Sequence, residues 1–150
     1  MIPPGGEGKI TLKVNTRGYQ GNITKRANVY TNNPRGPNIT LSLKAFVKVP
    51  IYVSTKYVYL GGQAGQSVTK TVMIRAETEK PLILEQKLFD LKNKVTYRLE
   101  EVEQGRLFRV HFTNVPGPAK TYVGFLKLKT NYPEKPEITI RIRGRFKEAS

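Results

Sequence analysis

The ten-residue segment Thr31-Asn32-Asn33-Pro34-Arg35-Gly36-Pro37-Asn38-Ile39-Thr40 returns, as Thr130-Asn131-Tyr132-Pro133-Glu134-Lys135-Pro136-Glu137-Ile138-Thr139, 99 positions later. The shared pattern is Thr-Asn-x-Pro-x-x-Pro-x-Ile-Thr, and the residues around it alternate between apolar and polar. Leu126 and Leu128 alternate with Lys127 and Lys129. Beyond the Pro-rich turn, Ile138, Ile140 and Ile142 alternate with Thr139, Arg141 and Arg143. A two-residue period on both sides of a turn predicts two half-buried strands joined as a hairpin. One hairpin has thus been used twice. A repeat of about 100 residues made of strands is the size of an immunoglobulin-like sandwich, not of a solenoid turn.

At 150 residues the chain holds about one and a half such units. Pro50 is the expected boundary, giving a partial repeat over residues 1–50 and a complete one over 51–150. In the first part Ile10, Leu12 and Val14, then 23–30, then Ile39, Leu41, Leu43, Ala45 and Val47 read as three strands. Three strands cannot close a sandwich. Residues 1–50 are therefore expected to find cover on the second unit, in missing N-terminal strands, or on another chain, as a homodimer or by strand exchange.

In the second part Tyr52–Leu60 reads as one strand and Gly61–Gln66 as a turn. Residues 67–76 read as a strand with a bulge near Thr71. Leu82, Leu84, Leu88 and Leu91 fit either a helix or a strand with an irregular connection, since Pro81 and the short span argue against a long helix. Residues 95–102, then Phe108, Val110 and Phe112, then the closing hairpin complete about seven strands. The expected fold is all-β, an immunoglobulin-like β-sandwich preceded by a three-stranded C-terminal half of a second copy.

The stretches Ile2-Pro3-Pro4-Gly5-Gly6-Glu7-Gly8 to Val14 and Gly18-Tyr19-Gln20-Gly21 to Pro34 resemble the C-terminal half of the bacterial immunoglobulin-like domains of unknown function related to the ASH, Hydin and major sperm protein group. Tyr59-Leu60-Gly61-Gly62-Gln63-Ala64-Gly65-Gln66-Ser67 followed by Thr71-Val72-Met73-Ile74 resembles the opening strand pair of the same family. The resemblance implies a non-catalytic sandwich, often in tandem, in bacterial envelope or secreted proteins, so a periplasmic, cell-surface or secreted location. It transfers no catalytic residue. The turn at Val115–Lys120 departs from the Gly-Tyr-x-Gly pattern of the first copy.

Chemistry has little material here. The chain has no cysteine, so disulfides and thiolate metal sites are excluded, and His111 is its only histidine. Alternation places His111 on an outer sheet face beside Arg109, as an ordinary exposed residue. Glu100, Glu101 and Glu103 form the one acidic cluster, expected to pair across strands with Lys or Arg. Gly5-Gly6 and Gly61-Gly62 lack the Lys-Ser/Thr of a phosphate loop. Asn22-Ile23-Thr24 and Asn38-Ile39-Thr40 are short enough to recur by chance, and the two Pro-x-x-Pro segments read as rigid turns. No cofactor, metal site or enzyme activity is expected, no apolar run is long enough for a membrane span, and the first residues, Met-Ile-Pro-Pro-Gly-Gly-Glu-Gly-Lys, do not read as a signal peptide.

What remains is charge. The net charge of +15 is spread over both parts, and such a field attracts anionic polymers without choosing among them. The sharpest surface is on the closing hairpin, where folding about Pro133 is expected to set Lys127 and Lys129 beside Arg141 and Arg143, with Arg145 and Lys147 extending the row and Phe125 interleaved. Two functions follow as expectations: a structural or protein–protein interaction module in a tandem array, or a binder of polysaccharide, nucleic acid or a lipid surface through basic sheet faces.

Overall fold

A computed structural model describes residues 2–150. Every regular element in it is a strand. The chain divides into two compact units, Met1–Val49 and Pro50–Ser150.

The first unit contains one hairpin, β1 (Gly21–Tyr30) and β2 (Asn38–Val47), paired antiparallel from Gly21↔Val47 to Tyr30↔Asn38. Residues 10–14, expected as a third strand, form none, and Ile10 is 60% exposed. The second unit supplies the reason. Its β8 (Leu107–Asn114) precedes the closing hairpin as residues 10–14 precede β1, and Val110, Phe112 and Asn114 stand where Ile10, Leu12 and Val14 do once one extra loop residue is allowed. There β8 lies between two neighbouring strands. Without such neighbours an alternating segment has no ladder to join.

The second unit has eight strands, one more than expected. They are β3 (Ile51–Val53), β4 (Tyr57–Gln63), β5 (Thr69–Ala76), β6 (Leu84–Phe89), β7 (Val95–Glu103), β8, β9 (Lys120–Thr130) and β10 (Glu137–Lys147). They form two four-stranded sheets, β4-β10-β9-β6 and β3-β5-β8-β7, whose inner faces share one apolar core. All pairings are antiparallel except β4 with β10. The extra strand comes from Tyr52–Leu60, which is two strands in different sheets. A bend at Ser54–Lys56 breaks it, so Ile51 and Val53 face the core from one sheet while Val58 and Leu60 face it from the other.

The region of residues 82–91 is a strand, β6, with Leu82 and Leu91 buried on either side of it. The bulge expected near Thr71 is absent, because β5 pairs β8 without a break. Bulges fall instead at Gln86/Leu88 and Glu101/Glu103, on the edge strands β6 and β7, where added twist discourages pairing with another sheet. Ile138, Ile140 and Ile142 are all buried, as the alternation requires.

The sequence repeat is a structural repeat down to single atoms. β9 and β10 start 99 positions after β1 and β2, and Lys129↔Glu137 repeats the pairing Tyr30↔Asn38. At the turn, Thr31 N donates to Pro37 O (2.6 Å) and Thr130 N to Pro136 O (2.9 Å). Thr31 Oγ1 donates to Gly36 O and accepts from Asn33 N, while Thr130 Oγ1 donates to Lys135 O and accepts from Tyr132 N. A Thr hydroxyl that satisfies both a backbone N–H and a carbonyl fixes a turn that Pro alone would leave loose.

Candidate functional site

The outer face of β4-β10-β9-β6 carries the predicted basic row, but in a different register. Pairing places Phe125 opposite Arg141, Val123 opposite Arg143 and Thr121 opposite Arg145. Lys127 and Lys129 lie opposite Thr139 and Glu137, so they do not sit beside Arg141 and Arg143 as expected. The hairpin is centred on Pro133, and a fold about that residue brings Phe125 to Arg141; bringing Lys127 and Lys129 beside Arg141 and Arg143 would need a turn centred two residues further on.

The shift splits the face into two ends of different character. At the turn end, Glu137 accepts from Lys87 at 2.6 Å and lies 3.9 Å from Lys127. Lys87 hydrogen bonding holds the Glu137 carboxyl below its ordinary range. Part of the charge at that end is thus paired internally. At the other end Arg141, Arg143, Arg145 and Lys147 are exposed, and among the described residues none of the ion pairs reaches them. Alternate residues of a strand are about 6.6–6.8 Å apart, so these are four cations in file.

Aromatic residues flank that file on the side that local reading missed. β4 runs parallel to β10 with Tyr57 beside Arg141 and Tyr59 beside Arg143. Both rings are exposed, Tyr57 at 70% and Tyr59 at 55%. Together with Val58, Arg141 and Arg143 they line a shallow depression. Tyr59 lies over Gly61, where a Cβ would stand 2.6–2.8 Å from its ring atoms. Gly61 thus lets the ring lie along the sheet. The alternation Tyr57, Val58, Tyr59, Leu60 marked these rings as outward-facing. Their place beside β10 depends on a parallel pairing across some 80 residues, which no local pattern announces.

A second polar group sits on the outer face of the other sheet. His111 is not freely exposed: its side chain is 22% accessible and bridges Glu100 Oε2 through Nε2 (2.7 Å) and Thr71 Oγ1 through Nδ1 (2.9 Å). Glu100 therefore pairs with histidine, not with Lys or Arg, and Glu101 accepts from Gly105 N (2.7 Å) in the turn after β7. The hydroxyl–imidazole–carboxylate order has the connectivity of a nucleophile, base and orienting acid. It lies on the outer face of the sheet, where its three members come from adjacent strands. The arrangement works as a cross-strand clamp over β5, β8 and β7.

The His111 hydrogen bond lowers the Glu100 pKa from its ordinary value near 4.5. A depressed carboxylate contributes stability above its unfolded pKa and loses it as pH falls through the folded value. Glu100→Gln should therefore lower the thermal midpoint at pH 7, and the difference from the unsubstituted chain should shrink as the pH falls below about 4.5. Melting curves from pH 7 to pH 3 check this.

Among the described residues no three His, Asp or Glu side chains gather closely enough to hold a metal ion, and no helix is long and apolar enough to cross a membrane. No known protein family matches the chain, and no curated protein matches it significantly.

Proposed function

We propose that this chain is part of a tandem array of β-sandwich modules and acts without catalysis, as a structural or protein–protein interaction unit. The observation that carries this reading is the second hairpin. A closing hairpin repeated in the same register and with the same turn bonds is what a chain of repeated modules contains, and it is not a device for chemistry. The motif resemblance to the ASH, Hydin and major sperm protein group of immunoglobulin-like domains supports the same reading, and with it a place in the bacterial envelope or outside the cell.

A second reading is favoured by the uncompensated file Arg141, Arg143, Arg145 and Lys147 beside the rings of Tyr57 and Tyr59: binding of an anionic polymer. Arg forks match phosphate, sulfate and carboxylate geometry, and exposed rings add stacking area. One experiment separates the two. On heparin-Sepharose, Arg141→Glu/Arg143→Glu should elute far earlier than an equally charged double variant such as Lys13→Glu/Lys44→Glu if the file is a site. Equal elution of the two variants leaves the interaction-module reading alone.

A further inference from the structure

The hairpin β1–β2 has an apolar side without a completed core. Ile23, Ala27, Val29, Leu41, Leu43 and Val47 share that side and are only half-buried, and no described residue of the first unit is buried to the degree of the second unit's core. Their counterparts in β9–β10, at the same register, are Tyr122, Leu126, Leu128, Ile140, Ile142 and Phe146, all buried. The difference lies in what covers them. In the second unit β9–β10 is flanked by β6 antiparallel to β9 and β4 parallel to β10, and the β3-β5-β8-β7 sheet closes its inner face.

We infer that β1–β2 is an acceptor for a front half of the same kind: strands of the β3–β7 pattern, lying ahead of the hairpin in the same polypeptide as β3–β7 lie ahead of β9–β10. This rests on the tandem-module reading and names its partner segment. A second copy of the chain does not meet the need. Each copy holds one set of β3–β7, already engaged by its own β8–β10, so exchange between copies leaves as many hairpins open as before.

The capture point is also in place. Asn131 donates through Nδ2 to Pro81 O (2.9 Å) and accepts from Ile83 N (2.9 Å), holding the lead-in to β6 beside the hairpin turn. Its counterpart Asn32, in the same turn, is exposed. One pair of side chains already shows compensating change. Tyr122 stands opposite Gly144, and the matching pair in the first hairpin is Ile23 opposite Ala45, a smaller side chain over a larger one. One position departs from the match. Asp90 and Leu91 pass where a Cβ on Gly124 would stand, and the counterpart of Gly124 is Lys25, whose Nζ bonds Tyr19 Oη at 2.8 Å.

The test compares the 150-residue chain with an extended protein in which a second copy of residues 50–106 is joined ahead of Glu7. This gives Ile10 the spacing that Val110 has from its front half. The extended protein is made with Lys25 and with Lys25→Gly. Amide exchange in 21–30 and 38–47 should slow by about a hundredfold or more in at least one version, and residues 10–14 should take strand chemical shifts. Asn32→Ala should reverse part of that protection in the extended protein and change nothing in the 150-residue chain. Exchange as fast in both extended versions as in the 150-residue chain overturns the inference. So does light scattering that finds the 150-residue chain a dimer with β1–β2 already protected, because the cover is then a second copy. In either case an intact second unit and an unchanged heparin result leave the module reading standing, so the two failures are told apart.

Discussion

Gly144→Ala is expected to destabilise the second unit by about 3 kcal/mol, the upper range for forcing one methyl into a filled core. Gly144 lies opposite Tyr122 in the β9–β10 ladder, and a Cβ there would fall inside the van der Waals envelope of the Tyr122 ring. Neither partner can yield. Tyr122 is 4% exposed, and burial without a hydrogen-bond partner for its hydroxyl raises its pKa above the ordinary tyrosine value. For a unit of this size the expected fall in thermal midpoint is roughly 12–24 °C. Tyr122→Ile alone should cost about 2–4 kcal/mol through the cavity it leaves. The pair Tyr122→Ile/Gly144→Ala reproduces Ile23 and Ala45 of the first hairpin and should recover most of either loss. A double-mutant cycle by urea unfolding checks this, with an expected coupling of at least about 2 kcal/mol. Additive losses would mean that the two hairpins are not alternative solutions to one packing problem.

The second large effect is a contrast. Ile140→Ala removes a fully buried side chain from the centre of β10 and should cost about 3–4 kcal/mol. Leu41→Ala removes the side chain at the matching position of β2, where the leucine is half-buried, and should cost less than about 1 kcal/mol. Each unit is followed through amide exchange in its own strands. Similar costs at both positions would mean that β1–β2 is already packed against a full core, and that the acceptor account is wrong.

The elements carried by local pattern were legible in the sequence. Alternation put Ile138, Ile140 and Ile142 inside and their neighbours outside, and the repeated turn located both hairpins. Features that depend on a distant partner were not legible. Residues 10–14 alternate as well as any strand here but have no neighbours, so they stay irregular. Tyr52–Leu60 alternates on both sides of a bend that moves it from one sheet to the other. The basic row was visible residue by residue, but its division into a partly paired end and an open one depends on Glu137, Lys87 and the parallel strand β4. Tyr57 and Tyr59 belong to the candidate site only through that pairing. His111 took a Glu and a Thr as partners because β7, β8 and β5 lie side by side, an order that alternation within one strand does not specify.

The most direct measurement is the cross-strand register of the first hairpin by backbone NMR contacts. The account places Ala27 opposite Leu41 and Val29 opposite Ile39, the pairing in which Leu126 meets Ile140 and Leu128 meets Ile138. Contacts that place Ala27 opposite Thr40 or Ser42, a slip of one residue, would turn the apolar side of β2 over and contradict it.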